Sequence, residues 1–148
     1  MAKRIELEFK DGVVFGAELF EDATPLTTQM FWDALPFTQE LKHASYSGQA
    51  LYAHLPIKVG KVENPYVLGC ETGDLVVNTQ ATGIRVEGKE IPDELMIVYG
   101  VVTFFNWTGW YPVNRFGRIV QGDLVVLKEI GRRVREFGKE TIKVRRWE

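Results

Sequence analysis

The sequence is poor in the residues that build cross-links and metal centres. Its 148 residues include one cysteine, Cys70, and two histidines, His43 and His54. A single cysteine excludes an internal disulfide and a cysteine-rich metal cluster. Neither histidine has metal-ligand spacing to the other or to the cysteine, so we expect no metal site and no cofactor.

Long hydrophobic runs are also missing. No apolar stretch reaches the roughly 20 residues that a membrane helix needs, and the first residues lack the apolar segment of a secretion signal. We therefore expect a cytoplasmic protein that does not associate with membranes. Asn106-Trp107-Thr108 matches the glycosylation pattern, which we interpret as coincidence in a protein without an export signal.

The chain has no strong excess of one charge. Its 18 basic and 20 acidic residues leave a net charge of −2. The last 21 residues are basic, with eight Lys or Arg against four Glu between Lys128 and Glu148. A basic end can indicate nucleic-acid binding, but this footprint is small, and cations are favourable late in a helix. We expect no nucleic-acid partner.

The composition is that of one ordinary globular domain. Hydrophobic residues make up 45% and charged residues 26% of the chain, which is enough apolar material to build a core without cross-links. The sequence contains no repeat, linker or low-complexity tract. We therefore predict a single domain over residues 1–148.

Alternating apolar and polar residues predict strands at both ends of the chain. Residues 4–10 place Ile5, Leu7 and Phe9 on one face, and Asp11-Gly12 supplies the turn to a second strand. Residues 141–147 form a closing strand that could pair with the first. Further strands are predicted at 37–44, 49–55, 75–79, 95–105 and 115–121. A short hairpin is predicted at 84–91.

Two helices are predicted from their boundaries and their apolar stripes. The first begins with Thr24 as N-cap and Pro25 at the first helical position, and Pro36 ends it. The second follows Gly122-Asp123 and ends at Gly138. The expected buried stripes are Leu26, Met30, Phe31, Ala34 and Leu35 in the first helix, and Leu124, Leu127, Ile130, Val134 and Phe137 in the second.

These elements predict a mostly β fold with two helices. About eight short, mostly antiparallel strands suit a closed barrel that helices cap. The stretch from Leu95 to Val120 is the centre of this prediction: a strand without alternation, hence covered on both faces, then an aromatic loop and a returning strand. We expect the aromatic side chains of the loop to fold over the open end of the barrel and enclose a cavity.

A series of short motifs carries a family resemblance. Leu35-Pro36, Ser47-Gly48-Gln49, Gly73-Asp74, Val98-Tyr99-Gly100 and Val113-Asn114-Arg115 follow one another in this order. With them the chain resembles the small bacterial and archaeal cyclophilin-like proteins of unknown function. The resemblance implies a β-barrel with a helix at each end. It does not imply prolyl isomerase activity, because the Phe-His-Arg and Gly-Gly-Asp segments of true cyclophilins are missing.

Polar and aromatic residues near the central stretch form the candidate site. Arg115 is the candidate anion anchor, since its guanidinium fork suits a carboxylate or phosphate, although it could instead pair with Glu71 or Glu94. Glu71 could act as a general base if buried, or lie at a turn, and Cys70 suits a buried inert thiol. The two histidines fit structural roles better than catalysis. The predicted ligand-binding residues are Tyr46, Gln49, His54, Tyr99, Trp107, Asn114 and Arg115.

Three functions follow from this site. The first is a cytoplasmic barrel that binds a small metabolite, which Arg115 suggests to be anionic, in a pocket lined by aromatic residues, with or without catalysis. The second is a non-catalytic interaction module that forms homo-oligomers through the loop Trp107–Tyr111. The third is residual peptidyl-prolyl isomerase activity. The sequence leaves all three open.

Overall fold

The computed structural model of the chain describes residues 2–79, 85, 86, 89, 90, 92–106 and 109–148, and of residues 85, 86, 89 and 90 it describes the backbone. Within these ranges the chain forms thirteen strands and two helices. The elements are β1 (Arg4–Phe9), β2 (Val14–Leu19), α1 (Pro25–Ala34), β3 (Phe37–His43), β4 (Gly48–His54), β5 (Pro65–Tyr66), β6 (Asp74–Asn78), β7 (Arg85–Val86), β8 (Lys89–Glu90), β9 (Glu94–Val102), β10 (Phe105–Asn106), β11 (Gly109–Trp110), β12 (Val113–Gln121), α2 (Leu124–Phe137) and β13 (Glu140–Arg146).

Eight strands form a closed antiparallel barrel. They are hydrogen-bonded in the order β2-β1-β13-β3-β4-β9-β6-β12, and β12 pairs with β2 to close the cylinder. Closure leaves no edge strand in the barrel wall. Bulges in β12 shift its register on both sides, between Arg115 and Gly117 and between Ile119 and Gln121. The predicted fold class, a closed barrel with two helices, is confirmed.

The ends of the chain pair as predicted. β1 and β2 form a hairpin with Leu7 opposite Phe15, and Gly12 takes the positive φ of +85° that its turn requires. β13 lies on the other side of β1, with Leu7 opposite Val144. The short predicted hairpin is also present, because β7 and β8 pair, although its turn residues 87 and 88 lie outside the described part of the chain.

Alternate side chains of the barrel strands fill its interior. In each strand every second residue points inward, as the two-residue period of a strand requires. The interior is aliphatic and aromatic, and it includes Ile5, Leu7, Phe9, Phe15, Ala17, Leu41, Leu51, Leu75, Val77, Leu95, Ile97, Phe116, Ile142 and Val144, all 2% exposed or less. The barrel is therefore a packed core and not a channel.

A distant carboxylate caps the first helix. Thr24 occupies the N-cap position as predicted, but its hydroxyl donates back to Phe20 O at 2.8 Å and does not cap the helix. The cap comes from Glu63, whose carboxylate accepts from Leu26 N at 3.1 Å and Thr27 N at 2.6 Å. The role predicted for the Thr24 side chain is therefore wrong, because the tertiary fold supplies a charged acceptor at this positive helix end.

The buried stripes of the two helices differ from the predicted ones. In α1 Leu26 is exposed, and the fully buried residues are Thr27, Thr28 and Phe31. In α2 the middle of the stripe is buried and both of its ends are exposed.

The two helices close opposite ends of the barrel. Phe31 of α1 packs edge-on against Phe37, at the start of β3, with ring centroids 5.6 Å apart. At the other end of β3, Gly131 of α2 lies against the ring of Tyr99, so closely that a Cβ at this position would be 2.6 Å from it. The helix at each end that the family resemblance implied is confirmed.

A second core covers the outer wall of the barrel. Six wall residues of β4, β6, β9 and β12 share it, namely Ala50, Val76, Met96, Val98, Val102 and Val113. Phe104 completes this core, and Tyr66, Cys70 and Tyr111 pack against it. Both faces of β9 are therefore buried from Leu95 to Tyr99, which explains why the sequence does not alternate there.

The aromatic loop lies on this outer wall. We predicted that it would cover the open end of the barrel, and that prediction is wrong for its described residues. Tyr111 packs on the outer core and Trp110 is 78% exposed. The physical reason is that side chains of α1 and α2 already join the barrel interior from both ends, as Phe31 and Ile130 do.

Candidate functional site

Arg115 lies on the outer wall and is paired with an internal carboxylate. Its Nε and Nη2 are each 2.9 Å from an oxygen of Asp74, and its guanidinium lies between the rings of Phe20 and Tyr66, 4.9 and 5.3 Å from their centroids. Nη2 donates a hydrogen bond to Asp74, and this bond together with the ion pair raises the pKa of Arg115. The fork that we expected to hold an anion is thus occupied, and its partner is neither Glu71 nor Glu94.

Asn114 has a structural position inside the barrel end. Its Oδ1 accepts from the backbone N–H groups of Glu63 and of Asn64, the latter at 3.0 Å, and its Nδ2 donates to Lys61 O at 2.5 Å. The side chain is fully buried. Asn114 therefore holds residues 61–64 against the barrel, and through Glu63 it also supports the cap of α1.

The buried Tyr99 and the partly buried His43 form a pair beneath α2. The Nδ1 of His43 lies 2.8 Å from Ala44 O, which can only accept, so in the neutral imidazole Nδ1 carries the proton. The Nε2 atom is then an acceptor, and the Tyr99 hydroxyl donates to it at 2.6 Å. This arrangement agrees with the structural role that we expected for His43.

The remaining predicted residues lie apart from one another. Gln49 accepts from Val101 N at 2.8 Å and crosses the backbone of Gly100, where no Cβ would fit. This agrees with the close backbone approach that a glycine inside a strand indicates. Tyr46 is exposed and packs on Phe105 with centroids 6.4 Å apart. Trp107 lies outside the described residues.

The structure therefore divides the predicted pocket. His54 is on β4 and Arg115 on β12, three strand spacings or roughly 14 Å apart along the wall. His54, Tyr99 and Arg115 line three different depressions. Among the predicted residues that the structure describes, His54 lies in a separate group of polar and titratable side chains on the outer wall.

That group, which we call the Glu94 cluster, consists of His54, Glu94, Asn78 and Tyr111. Strand register places the first three side by side on the outer wall, with His54 opposite Glu94 and Glu94 opposite Asn78. Glu94 Oε2 is 3.7 Å from His54 Nε2, and Glu94 Oε1 accepts from Asn78 Nδ2 at 2.9 Å. Tyr111 Oη lies 3.4 Å from the same Nδ2 atom.

The cluster combines a shielded carboxyl with an accessible imidazole. The Glu94 side chain is 15% exposed and that of His54 is 41% exposed. Beside His54 a small depression opens, lined by Gln39, Glu40, Lys42, Tyr52 and His54. The wall that supports the cluster continues into the apolar outer core. The arrangement suits an organic ligand with one polar group, since a few polar side chains converge beside apolar surface.

The surroundings bring the pKa values of Glu94 and His54 closer together. Burial raises the pKa of Glu94, although the bond from Asn78 opposes this shift. Burial lowers the pKa of His54, and the charge of Lys42 lowers it further. The pKa of the carboxyl rises and that of the imidazole falls, so the two groups come closer in acidity, as titratable pairs in functional sites often do.

Sequence reasoning missed Glu94 and Asn78 as site residues. Alternation along β9 places Glu94 on the same face as Met96 and Val98, so the sequence could have predicted a carboxylate on an otherwise apolar face. The neighbours of Glu94 across the sheet come from β4 and β6, which are separated from it by long stretches of chain. Only the strand register brings the three polar side chains together.

Cys70 and Glu71 do not contribute a nucleophile or a base. Burial raises the pKa of the Cys70 thiol to about 12, and nearby Asp74 adds to the shift, so the thiol stays protonated and inert, as expected. Glu71 is exposed, and its backbone N–H donates to Asp74 at 2.8 Å. Glu71 is therefore a turn residue, which was the alternative to a buried base.

Comparison with known families covers almost the whole chain. Residues 6–145 match the family described as proteins of unknown function, DUF3830. The chain belongs to the DUF3830 family. No curated protein sequence matches it.

Solved structures similar to this DUF3830 chain share its barrel. McbB in complex with tryptophan has a TM-score of 0.77 and 21% identity over 96% of this chain, which spans only 44% of McbB. A hypothetical protein of Archaeoglobus fulgidus has a TM-score of 0.64 and 23% identity, over 99% of this chain and 95% of that one. A cyclophilin-type peptidyl-prolyl isomerase of Cryptosporidium parvum has a TM-score of 0.65 and 12% identity, over 100% and 99%. At these identities the likeness shows the fold, which is cyclophilin-like.

Two further features concern the described part of the DUF3830 chain. None of its helices is both long and apolar enough to cross a membrane. Its His, Cys, Asp and Glu side chains include no group of three or more that could hold a metal ion.

Proposed function

We propose that this chain is a cytoplasmic DUF3830 protein that binds a small metabolite at the Glu94 cluster. The ligand that suits the cluster carries an amino group and a carboxylate. The observation that supports the proposal most strongly is the shielded Glu94 carboxylate between His54 and Asn78. A largely buried carboxylate that keeps some exposure can accept strong hydrogen bonds from a cationic or N–H group.

The charges around the cluster support a ligand with both groups. Lys42 lines the depression beside His54, and its charge acts on both His54 and Glu94. An amino group that reaches Glu94 would leave the ligand's carboxylate free to approach Lys42. In this proposal Lys42 takes the role of anion anchor that the sequence suggested for Arg115.

Aromatic neighbours support an apolar part in the ligand. The ring of Tyr52 lies 5.8 Å from that of His54. The Tyr111 hydroxyl lies near the Asn78 amide, which binds Glu94. McbB, which shares the fold, was solved with tryptophan bound. An amino acid with an aromatic side chain is therefore the first ligand to test. The same groups would suit proton transfer if the ligand is a substrate.

The test is a calorimetric and thermal-shift screen of aromatic amino acids and small carboxylic acids. Glu94→Gln keeps the shape of the side chain and removes its charge, so we expect at least a tenfold weaker affinity, about 1.4 kcal/mol. Glu71→Gln makes the same change at an exposed carboxylate and should bind like the wild type. If both variants bind equally well, or if no compound in the screen binds, the proposal is wrong.

A second function is supported by exposed aromatic side chains. Trp110 is opposite Phe105 in the β10–β11 pair, and Tyr46 packs on Phe105. Trp110 is 78% exposed, and a homo-oligomer formed through residues 107–111 would cover it. Light scattering of the wild type and of Trp110→Ala tests this function. An oligomer that Trp110→Ala dissociates supports it, and a monomeric wild type excludes it.

A further inference from the structure

A groove separates α2 from the barrel strands β4 and β9. It has a volume of about 300 Å³, near the lower limit of ordinary ligand sites. Its lining consists of Gln49, Tyr99, Lys128, Glu129, Arg132 and Arg135. Tyr99 lies five residues along β9 from Glu94, or roughly 17 Å, so this groove is separate from the Glu94 cluster.

The groove has a positive charge that internal partners do not neutralise. Lys128, Arg132 and Arg135 follow one another at helical spacings of four and three residues, which places them on one face of α2. Arg132 is paired with Glu129 at 3.2 Å and with Glu136 at 2.8 Å. Within the described residues, Lys128 and Arg135 have no ion-pair partner. Two free cations therefore face the same groove.

The barrel side of the groove contributes a fixed hydrogen-bond donor. Gln49 Oε1 accepts from Val101 N, and a backbone N–H can only donate, so this bond determines the orientation of the amide. The Nε2 group of Gln49 is then left as a donor. Gly100 permits the arrangement, because a Cβ there would collide with the Gln49 side chain.

The floor of the groove is rigid. The ring of Tyr99 lies against the Gly131 backbone, and its hydroxyl is bound to His43 at 2.6 Å. Burial raises the pKa of Tyr99, and the nearby positive charge of Arg135 partly offsets this rise. A site preformed in this way loses little side-chain entropy when a ligand binds.

We infer that this groove is a second binding site, for a phosphate group carried by a small molecule. The two unpaired cations, Lys128 and Arg135, match the charge of about −2 on a phosphate monoester near pH 7. The Gln49 amide and the Arg135 guanidinium supply N–H donors for its oxygen atoms. A single carboxylate would neutralise only one of the two cations. The site is independent of the function proposed for the Glu94 cluster.

The test is titration calorimetry with inorganic phosphate at constant ionic strength. Arg135→Gln and Lys128→Gln should each weaken binding about tenfold, the loss expected for one charge-assisted hydrogen bond. Gln49→Glu keeps the acceptor for Val101 N and replaces the donor by a negative oxygen, so we expect it to abolish binding. The matched control is Arg118→Gln, an exposed arginine of β12 that does not line the groove and should leave phosphate affinity unchanged.

Three results would overturn the inference. The first is no binding of phosphate to the wild type up to about 10 mM. The second is an equal loss in Arg118→Gln and Arg135→Gln, which would indicate a response to net charge. The third is binding of single-stranded RNA that phosphate does not displace from the groove. Glu94→Gln should bind phosphate normally, so the failure of one site leaves the test of the other intact.

Discussion

Removing the side chain of Asn114 tests whether this residue holds the fold together or faces a ligand. Asn114→Ala deletes three hydrogen bonds at once, from the N–H groups of Glu63 and Asn64 and to Lys61 O. It also releases Glu63, whose carboxylate caps α1. The loss therefore extends from residues 61–64 to the start of a helix that closes one end of the barrel.

The magnitude follows from the hydrogen bonds lost. Each bond contributes about 1 kcal/mol net, which gives about 3 kcal/mol for the three. Loss of the α1 cap would add about 1 kcal/mol if Glu63 moves away. Residues 61–64 are partly exposed, so water can replace some of the lost partners. We expect Asn114→Ala to lower the free energy of unfolding by about 2–4 kcal/mol, a large part of the total for such a domain.

Urea denaturation followed by fluorescence of the tryptophans measures this change. The control is Gln121→Ala, an exposed position on the same strand, which should change the free energy of unfolding by less than about 0.5 kcal/mol. If Asn114→Ala is as stable as the wild type but loses affinity for a ligand, the structural role is refuted. The binding role that the sequence suggested would then be correct.

Four further predictions concern other parts of the molecule. Folding raises the pKa of Glu94 above its usual value of 4.5, so the folded protein binds more protons than the unfolded one at pH values just above 4.5. The free energy of unfolding should therefore fall as the pH rises from 4.5. Glu94→Gln should remove this fall. The pKa of His54 is lowered in the folded state, so its contribution to stability rises with pH and should remain in the variant. Urea denaturation between pH 4.5 and 8 measures both effects. Gly131→Ala should destabilise the protein by about 1–3 kcal/mol because its Cβ would meet the Tyr99 ring, with Val125→Ala as the exposed control, and equal stability would contradict this packing. Cys70 should react with a thiol reagent at pH 8 far more slowly in the folded than in the unfolded protein, and equal rates would show that its thiol is accessible. A proline peptide should isomerise at its uncatalysed rate in the presence of the protein, and an accelerated rate would establish residual prolyl isomerase activity.

Local patterns predicted the strands of the barrel well. The hairpin at Asp11-Gly12 and the closing strand depend on alternation and on one turn, which neighbouring residues control. The lack of alternation in β9 correctly indicated that both of its faces are covered. The same signal could not identify what covers them, because an apolar face gives no information about its partner.

Helix ends were less predictable than helix positions. Thr24-Pro25 correctly marked the start of α1, but the group that caps it is Glu63, nearly forty residues later. In α2 the local cap was sufficient, since Asp123 accepts from Val125 N at 2.9 Å. Sequence patterns identify a cap that comes from a neighbouring residue and miss one that the fold brings from far away.

The candidate site shows the same limit more clearly. Arg115 and His54 were both recognised as polar side chains worth attention, yet the sequence could not assign their partners. Asp74 pairs with Arg115 because β6 lies beside β12, and Glu94 lies beside His54 because β9 pairs with β4. A one-residue change of register would send each of these side chains to the other face of the wall.

The amino-acid sequence alone was sufficient to indicate a mostly β chain with two helices and a closed barrel, because alternation, turns and helix ends are interactions between near neighbours. The tertiary structure decided which charges are neutralised, which carboxyl is shielded and where the aromatic loop rests. Those properties depend on contacts between residues far apart in the chain. In a closed barrel, strand order and register determine these contacts.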